Sequence, residues 1–403
     1  MKNSVLEDKS NIYSCTGCGV CRVACPHSSI TIELSVDGFY EPVIDENTCT
    51  DCGLCKRSCY MFDQNILKII EEDCLVYSAA NKDAGVLKSS TSGGVSSELM
   101  KECLNQGFKV LGVAYDYNED IAVTKIVSIK EEIEQFKGSK YFQSFTSDAF
   151  AEALEDKSGQ KYAVFGTPCQ IYGVSKYAEF IKHRERFLLI DIFCHGCPSM
   201  NLWKKYLKYS ENKFGVSNFT KVEFRSKAYG WHEFSTTFYK DDRQYKSSKF
   251  SDPFYSIFFD KNALNEACYN CKVRSTLAYT DIRLGDFWGY QYDNDISGVS
   301  AVMVSTDRGK SLFESVSDRF RIVEHNFLET IYAQSYGKNH DLNEPVRSKT
   351  LKLLSSSQSL EEIIRAYKKS YSLNKKIEIK IKNIIKLLPQ KLYLRIKKLS
   401  HKI

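Results

Sequence analysis

The sequence predicts an α+β fold in two parts, a small cysteine-rich module followed by a larger mixed α/β body. Two observations carry this reading. Residues 11–65 hold eight of the chain's 15 cysteines in two evenly spaced blocks. From about Leu75 the texture changes to alternating strand and helix signals, which continue for about 270 residues. With 403 residues, 43% of them hydrophobic and 26% charged, the chain has the composition of a folded protein with room for two or three domains.

Within the cysteine-rich segment, Ser29–Leu34 and Phe39–Ile44 read as short strands joined by the turn signal Asp37-Gly38. In the body, Leu75–Ala80 reads as a strand and Gly94–Leu104 as a helix opening after a Ser/Gly cluster. Val110–Tyr115 and Ala163–Phe165 read as strands, and Phe187–Phe193 is a continuous apolar run of the kind a buried sheet strand shows. Leu202–Ser210 reads as a helix, and Phe219–Phe224 and Phe234–Tyr239 as strands of period two. The boundaries this suggests are 1–70 for the cysteine-rich module, 71–155 and 156–345 for the two parts of the body, and 346–403 for a basic, partly amphipathic helical tail. No internal repeat is evident beyond the two cysteine blocks.

No stretch approaches the roughly 18 apolar residues of a membrane span. Glu7, Asp8 and Lys9 stand where a signal peptide would need its apolar core, so a cytoplasmic location is expected. In a reducing compartment, closely spaced cysteines are metal ligands or catalytic groups more often than disulfides. The net charge of +6 hides an asymmetry: residues 365–403 carry 13 Lys or Arg against the single acid Glu378, so the preceding chain is acidic. That tail, with Ile377, Ile381, Ile384 and Leu388 partly at helical spacing, fits an amphipathic helix packed on the body. It equally fits peripheral attachment to the inner face of an anionic membrane, at roughly 1 kcal/mol per basic residue. Nucleic acid is not expected as a partner, because the basic residues lack the aromatic interleaving of a binding platform.

Cys15, Cys18, Cys21 and Cys25 followed by Pro26 form C-x2-C-x2-C-x3-C-P, and Cys49, Cys52, Cys55 and Cys59 repeat the spacing with Tyr60 in place of proline. This is the bacterial-type two-cluster ferredoxin pattern, in which the fourth cysteine of each run ligates the other cluster. The expected sets are Cys15, Cys18, Cys21 and Cys59 for cluster one, and Cys49, Cys52, Cys55 and Cys25 for cluster two. Gly17, Gly19 and Gly53 let backbone N–H groups approach the sulfurs. Zinc is the alternative occupant, but zinc sites rarely use four cysteines at such tight intervals twice over.

Of the remaining seven cysteines, Cys74 and Cys103 lie in apolar or helical contexts and read as inert core residues. The others sit in recognisable settings: SSTSGGVSSELM (89–100), KGSKYFQS (137–144), FGTPCQ (165–170), DIFCHGCPS (191–199), CYNC (268–271) and DIRLGDFWG (281–289). Together with the ferredoxin pattern, over roughly residues 11–340, these motifs resemble the β-subunit family of coenzyme F420-reducing hydrogenases and dehydrogenases. That family includes stand-alone flavin oxidoreductases and ferredoxin-dependent hydroxymethyl-chlorophyll reductases.

The resemblance implies FAD and a third [4Fe-4S] cluster in the body, making the body a mixed α/β flavin- and cluster-binding unit. Carried over, the third-cluster ligands are Cys169, Cys194, Cys268 and Cys271. Cys197 departs from the family pattern, where an apolar residue follows His-Gly; it is a bystander, a substitute for Cys194, or half of a redox-active pair with it. For the flavin, Ser92, Gly93 and Gly94 open a helix whose N-terminal N–H groups suit a diphosphate. Ser139 and Lys140 would add to the same phosphates, and Thr167 and Gln170 would reach the isoalloxazine edge. His195 and Asp286 are the candidates for catalytic proton supply, each with a structural alternative: support of the neighbouring cysteine for His195, capping of a turn for Asp286.

The reading is an iron–sulfur flavoprotein oxidoreductase passing electrons between ferredoxin-type clusters and a flavin that exchanges two electrons or a hydride with coenzyme F420 or another acceptor. The expected partner is an electron donor or acceptor protein such as ferredoxin. The second reading is a non-catalytic electron-transfer subunit feeding a partner enzyme, such as one of surface-polysaccharide biosynthesis.

Overall fold

A computed structural model describes residues 4–6, 14–63, 66, 74–247 and 252–369, with five single positions beyond. Most of the basic tail, and with it the membrane-attachment reading, lies outside the described residues.

The cysteine-rich module is built around the hairpin β1 (Ile30–Leu34) and β2 (Tyr40–Ile44), paired antiparallel through Ile30↔Ile44 and Ile32↔Pro42. Ile30, Ile32, Tyr40 and Ile44 are buried while Thr31 and Val43 are exposed, the alternation of a sheet with one covered face. Each cysteine block contributes one short helix, Val20–Val23 and Leu54–Ser58.

Among the described residues the body holds twelve further strands: β3 (Leu75–Asn81), β4 (Lys109–Asp116), β5 (Ile121–Val127), β6 (Ser144–Phe145), β7 (Tyr162–Phe165), β8 (Phe187–Ile192), β9 (Lys221–Glu223), β10 (Thr237–Lys240), β11 (Arg243–Lys246), β12 (Ile282–Asp286), β13 (Ser300–Val304) and β14 (Phe320–Glu324). Nine of them form one mixed sheet in the order β14-β3-β13-β12-β8-β7-β4-β5-β6. The central strands β12, β8, β7 and β4 are parallel, and the flanks turn antiparallel at β13 and β5. A central parallel strand is covered on both faces, which explains the apolar run that opens β8, where Phe187, Leu188, Leu189 and Ile190 are all at most 4% exposed. Segments 71–155 and 156–345 share this sheet, so they fold as one core. The strands β9, β10 and β11 form a small antiparallel sheet beside it.

Two expected strands are shorter than their period suggests. Phe219–Phe224 shrinks to Lys221–Glu223 and Phe234–Tyr239 to Thr237–Lys240. Phe234 leaves the ladder because its ring lies under the Arg225 guanidinium, 4.5 Å from the centroid. The first part of the tail segment docks on the body. Helices Glu344–Ser355 and Leu360–Lys369 bury Leu351, Leu354, Leu360, Ile363 and Tyr367 in the same core as Leu202, Trp203 and Tyr206 of helix Met200–Phe214. Among the described residues no helix is long and apolar enough to cross a membrane.

The module is fastened to the body by a dense polar seam. Gln143 receives the Tyr40 N–H at 2.8 Å and donates to Thr16 O at 3.0 Å. Thr146 Oγ1 donates to Cys18 O at 2.9 Å, and Ser199 Oγ to Asp37 O at 2.6 Å. Lys272 Nζ donates to Met61 O at 2.6 Å, and Lys176 pairs with Asp63, which also accepts from Tyr172 Oη at 2.6 Å. These bonds bring residues more than a hundred positions apart into one rigid seam, and their loss would strand buried polar groups.

Candidate functional site: a thiol-rich cavity at the ends of the parallel strands

Open α/β sheets bind ligands in the crevice beyond the C-terminal ends of their parallel strands. Here β7 ends at Phe165 and turns through Gly166-Thr167 into helix Pro168–Phe180, which carries Cys169 in its first turn. β8 ends at Ile192, two residues before Cys194, and β12 ends at Asp286. Cys268 and Cys271 arrive on a short turn at Glu266–Cys268. A cavity of about 780 Å³ opens there, lined by Cys169, Cys194, Cys197, Cys268 and Cys271 at one end. Ser90–Ser92, Gly94–Ser97 and Gly138–Lys140 line its other end.

The five thiols lie within electrostatic range of one another. Burial pushes Cys194 up to about 11, with the nearby Cys271 thiol adding to it and the Arg274 and Arg283 cations opposing. Cys197 and Cys268 are raised well above the ordinary thiol range, again mainly by burial. Buried thiols crowded together gain from ionising only when a cation takes up their charge, so the donor set suits a metal centre. Among the described residues no three His, Cys, Asp or Glu side chains close on one point as a single ion requires. A cubane spreads its four thiolates over its corners and needs a wider ring. The Cys197 N–H donates to Cys268 Sγ at 3.3 Å, and Thr167 Oγ1 bonds Cys169 Sγ at 3.1 Å, the kind of contacts that tune ligand sulfurs.

The loop after β8 is held from beneath. Arg283 on β12 grips Asp191 on β8 with two bonds, Nε to Oδ1 at 2.7 Å and Nη2 to Oδ2 at 2.5 Å, and both side chains are buried. Arg274 donates to Cys268 O at 2.7 Å and to His195 O at 3.4 Å, tying two thiol-bearing loops together. His195 Nδ1 bonds Ser335 Oγ at 3.0 Å, while its buried Nε2 has no partner among the described residues. Burial, with His340 nearby, pulls His195 down to about 3, so it is a neutral imidazole able to offer one N–H. Asp286 is fully engaged: it pairs with Arg225 and accepts from Trp231 Nε1 at 2.7 Å, and its carbonyl accepts from Gln334 Nε2 at 2.5 Å. Its carboxylate fixes Arg225 and Trp231 and does not cap the turn.

At the other end, Gly94 caps helix Val95–Asn105 in the left-handed conformation (φ +83°) with no side chain bonded to the first turn. The N–H groups there are free of side-chain caps, and Ser96 and Ser97 line the cavity beside them. Gly93 is required by close approach: a Cβ would lie 2.1 Å from Ala79 O and 2.6 Å from Ser300 N. Ser92 Oγ donates to Val299 O at 2.9 Å, and Ser139 lines the cavity as an exposed loop residue. Lys140 lines it too, but its ammonium donates to the carbonyls of Val113, Lys137, Gln135 and Phe136 at 2.8–3.3 Å. That cation holds a loop together and is spent for a phosphate. Two lysines that sequence reasoning passed over hold the Ser/Gly loop. Lys227 Nζ clamps the Ser/Gly loop by donating to Leu87 O and Ser92 O, both at 2.8 Å, and Lys137, on the cavity wall, pairs with Glu134 at 2.7 Å and donates to Ser89 Oγ at 3.2 Å. Gln170 is mainly architectural: its Oε1 accepts the Thr167 N–H at 3.0 Å and its Nε2 donates to Ser144 Oγ at 2.9 Å.

In the module, the cysteines fall into two groups. Cys25, Cys49, Cys52 and Cys55 surround one small cavity. The thiols of Cys15, Cys18, Cys21 and Cys59 act on one another; burial and the Cys59 thiol push Cys18 up to about 12. Gly17 N donates to Cys15 Sγ at 3.2 Å. Cys103 is fully buried in the body core and Cys74 is half-buried, both away from these groups.

The family model for the C terminus of the coenzyme F420 hydrogenase/dehydrogenase beta subunit matches residues 159–329, and that for its N-terminal part matches 76–151. A 4Fe-4S dicluster domain matches 14–61. The chain belongs to the coenzyme F420 hydrogenase/dehydrogenase beta subunit family. It joins that family's body to an iron–sulfur dicluster domain. A coenzyme F420 hydrogenase subunit beta from Methanococcus voltae is 26% identical over 122 residues, which are 29% of this chain and 44% of that relative. The chain thus spans less than half the length of this curated relative. A solved chain of the xenon-derivatised F420-reducing [NiFe] hydrogenase complex from Methanosarcina barkeri aligns over 77% of this chain and 96% of its own, at 16% identity and a TM-score of 0.46.

Proposed function

We propose that the chain is an iron–sulfur flavoprotein oxidoreductase that holds two [4Fe-4S] clusters in its module and a third [4Fe-4S] cluster with FAD in its body. One observation carries the reading: a single cavity is walled by buried thiols at one end and by an uncapped helix N-terminus with its Ser/Gly loop at the other. When bound, such clusters supply single electrons and a flavin exchanges them for electron pairs or hydride.

The roles of the chain's own groups follow from their surroundings. Cys169, Cys268, Cys271 and either Cys194 or Cys197 would ligate the body cluster, with Arg274 and Arg283 offsetting the thiolate charge. The N–H groups of Val95 to Ser97, with Ser92 and Lys137 beside them, would hold the FAD diphosphate. His195 Nε2, buried on a thiol loop and without a partner among the described residues, is placed to donate a hydrogen bond to a bound group. Phe234, Trp288 and Phe259 give one side of the cavity an aromatic wall. Coenzyme F420 is one candidate acceptor, and a ferredoxin or partner enzyme would supply or take up electrons at the module.

Replacing Cys271 with serine tests the body cluster. Iron in the anaerobically purified chain should fall from about twelve to about eight atoms while the module keeps its clusters. An unchanged iron content would refute the assignment.

A further inference from the structure

The two clusters of the module are not equivalent with respect to the body. Cluster two's Cys52 is exposed, as are its neighbours Thr50 and Asp51, whereas none of Cys15, Cys18, Cys21 and Cys59 is. On the opposite side, Cys18 lies against helix Pro168–Phe180. A Cβ built on Gly173 would sit 3.2 Å from Cys18 Sγ and 3.1 Å from Val20 Cγ2. Gly173 is four residues after Cys169, one turn or about 6 Å along the same face of the helix. Cys18 is accordingly among the thiols whose charge acts on Cys169.

Tyr60 fills the remaining space in this contact. It is 1% exposed, and the sulfurs of Cys18, Cys169 and Cys271 are all near enough to act on its hydroxyl. Its ring packs on Tyr172 at 4.8 Å, Tyr172 stacks on Tyr279 at 3.5 Å, and its hydroxyl donates to Thr16 Oγ1 at 3.2 Å. Met61, Cys59, Cys169 and Cys271 belong to the same apolar cluster. Tyr60 also stands where the ferredoxin pattern has proline, so the departure in sequence coincides with the contact.

We propose that the cluster of Cys15, Cys18, Cys21 and Cys59 is the inner one, seated directly against the body cluster, and that Gly173 and Tyr60 are the positioning residues of that contact. Gly173 permits the approach because even a methyl group there would press on Cys18 Sγ and Val20 at 3.1–3.2 Å. Tyr60 keeps the gap dry. The cluster of Cys25, Cys49, Cys52 and Cys55 is then the outer one, through which a redox partner exchanges single electrons. The inference rests on the third cluster proposed above.

The test uses the full chain, purified anaerobically, with iron quantified and the reduced state examined by electron paramagnetic resonance. In the unsubstituted chain the reduced spectrum should carry a magnetic interaction that Cys271→Ser abolishes. Gly173→Leu should keep about twelve irons and lose most of that interaction, because dipolar coupling falls with the cube of distance. If Gly173→Leu does not fold, Gly173→Ala and Tyr60→Leu serve. Tyr60→Leu admits water and should shift the electron partition between the two clusters by about tenfold, or 59 mV, in a redox titration, whereas Tyr60→Phe leaves it unmoved. Gly173 and Tyr60 variants with about twelve irons and unaltered spectra and potentials overturn this inference alone. About eight irons in the unsubstituted chain overturn both it and the three-cluster reading.

Discussion

Replacing Asp191 with alanine removes the carboxylate that faces Arg283 across strands β8 and β12. Arg283 is 1% exposed and Asp191 2%, so the pair is shielded from bulk solvent. Two charge-assisted bonds disappear, at 2.7 and 2.5 Å, and the guanidinium keeps its bond to Arg274 O at 3.0 Å and its faces against Phe193 and Tyr336. Breaking a buried pair while leaving one charge behind costs about 3–5 kcal/mol. The three tryptophans, Trp203, Trp231 and Trp288, all lie in the body, so their fluorescence follows its unfolding in urea. The single substitution should lower the unfolding midpoint by an amount equivalent to that cost, and the double substitution Asp191→Ala with Arg283→Met should recover a large part of it. A single-mutant cost below about 1 kcal/mol, or a double mutant no better than the single, would show that the fork contributes nothing beyond packing.

Further outcomes follow from the cavity. Lys227→Met leaves the Ser92 carbonyl without its lysine donor and the Leu87 carbonyl with only the Ser90 N–H; flavin content should fall by tenfold or more at equal cluster content, and full flavin retention would argue against the Ser/Gly loop as the diphosphate seat. Gly93→Val places a carbon inside contact distance of Ala79 O, so it should abolish soluble expression or flavin binding; a stable, flavin-loaded variant would contradict the close approach. Burial pulls His340 down to about 4, below its unfolded value near 6.5. Between those pH values the unfolded chain binds a proton that the folded chain refuses, so stability falls as pH falls, by at most about 1.4 kcal/mol per pH unit. His340→Gln should flatten the acid limb of a stability–pH curve, and an unchanged limb would remove His340 from it.

The module was legible because its chemistry is local: eight cysteines at fixed intervals name their own ligand sets, and the hairpin Ile30–Ile44 alternates in plain view. The central strands of the body were legible for a related reason, since β7 and β8 are buried on both faces and read as apolar runs. The outer strands β13 and β14 were not singled out, because pairing with β3 across long sequence separations decides their place, and β5, which follows β4 in a short hairpin, was passed over despite its local signal. Lys140 shows the limit most clearly. Its sequence setting suits a phosphate cation, yet four carbonyls, three of them at the end of the 130–136 turn, capture it, while Lys227 reaches the Ser/Gly loop from more than 130 residues away. Thr167 and Gln170 likewise serve the helix start and the Cys169 sulfur, roles that depend on Ser144 arriving from another strand. Cys197 stood out by its departure from the family pattern, and the fold brings it to the cavity beside Cys268.

The most direct measurement is the iron, sulfide and flavin content of the full chain after anaerobic purification. About twelve irons, an equal amount of sulfide and one FAD per chain are expected for three clusters and a flavin. About eight irons without flavin would leave the ferredoxin-type module standing alone and make the chain an electron-carrying adaptor.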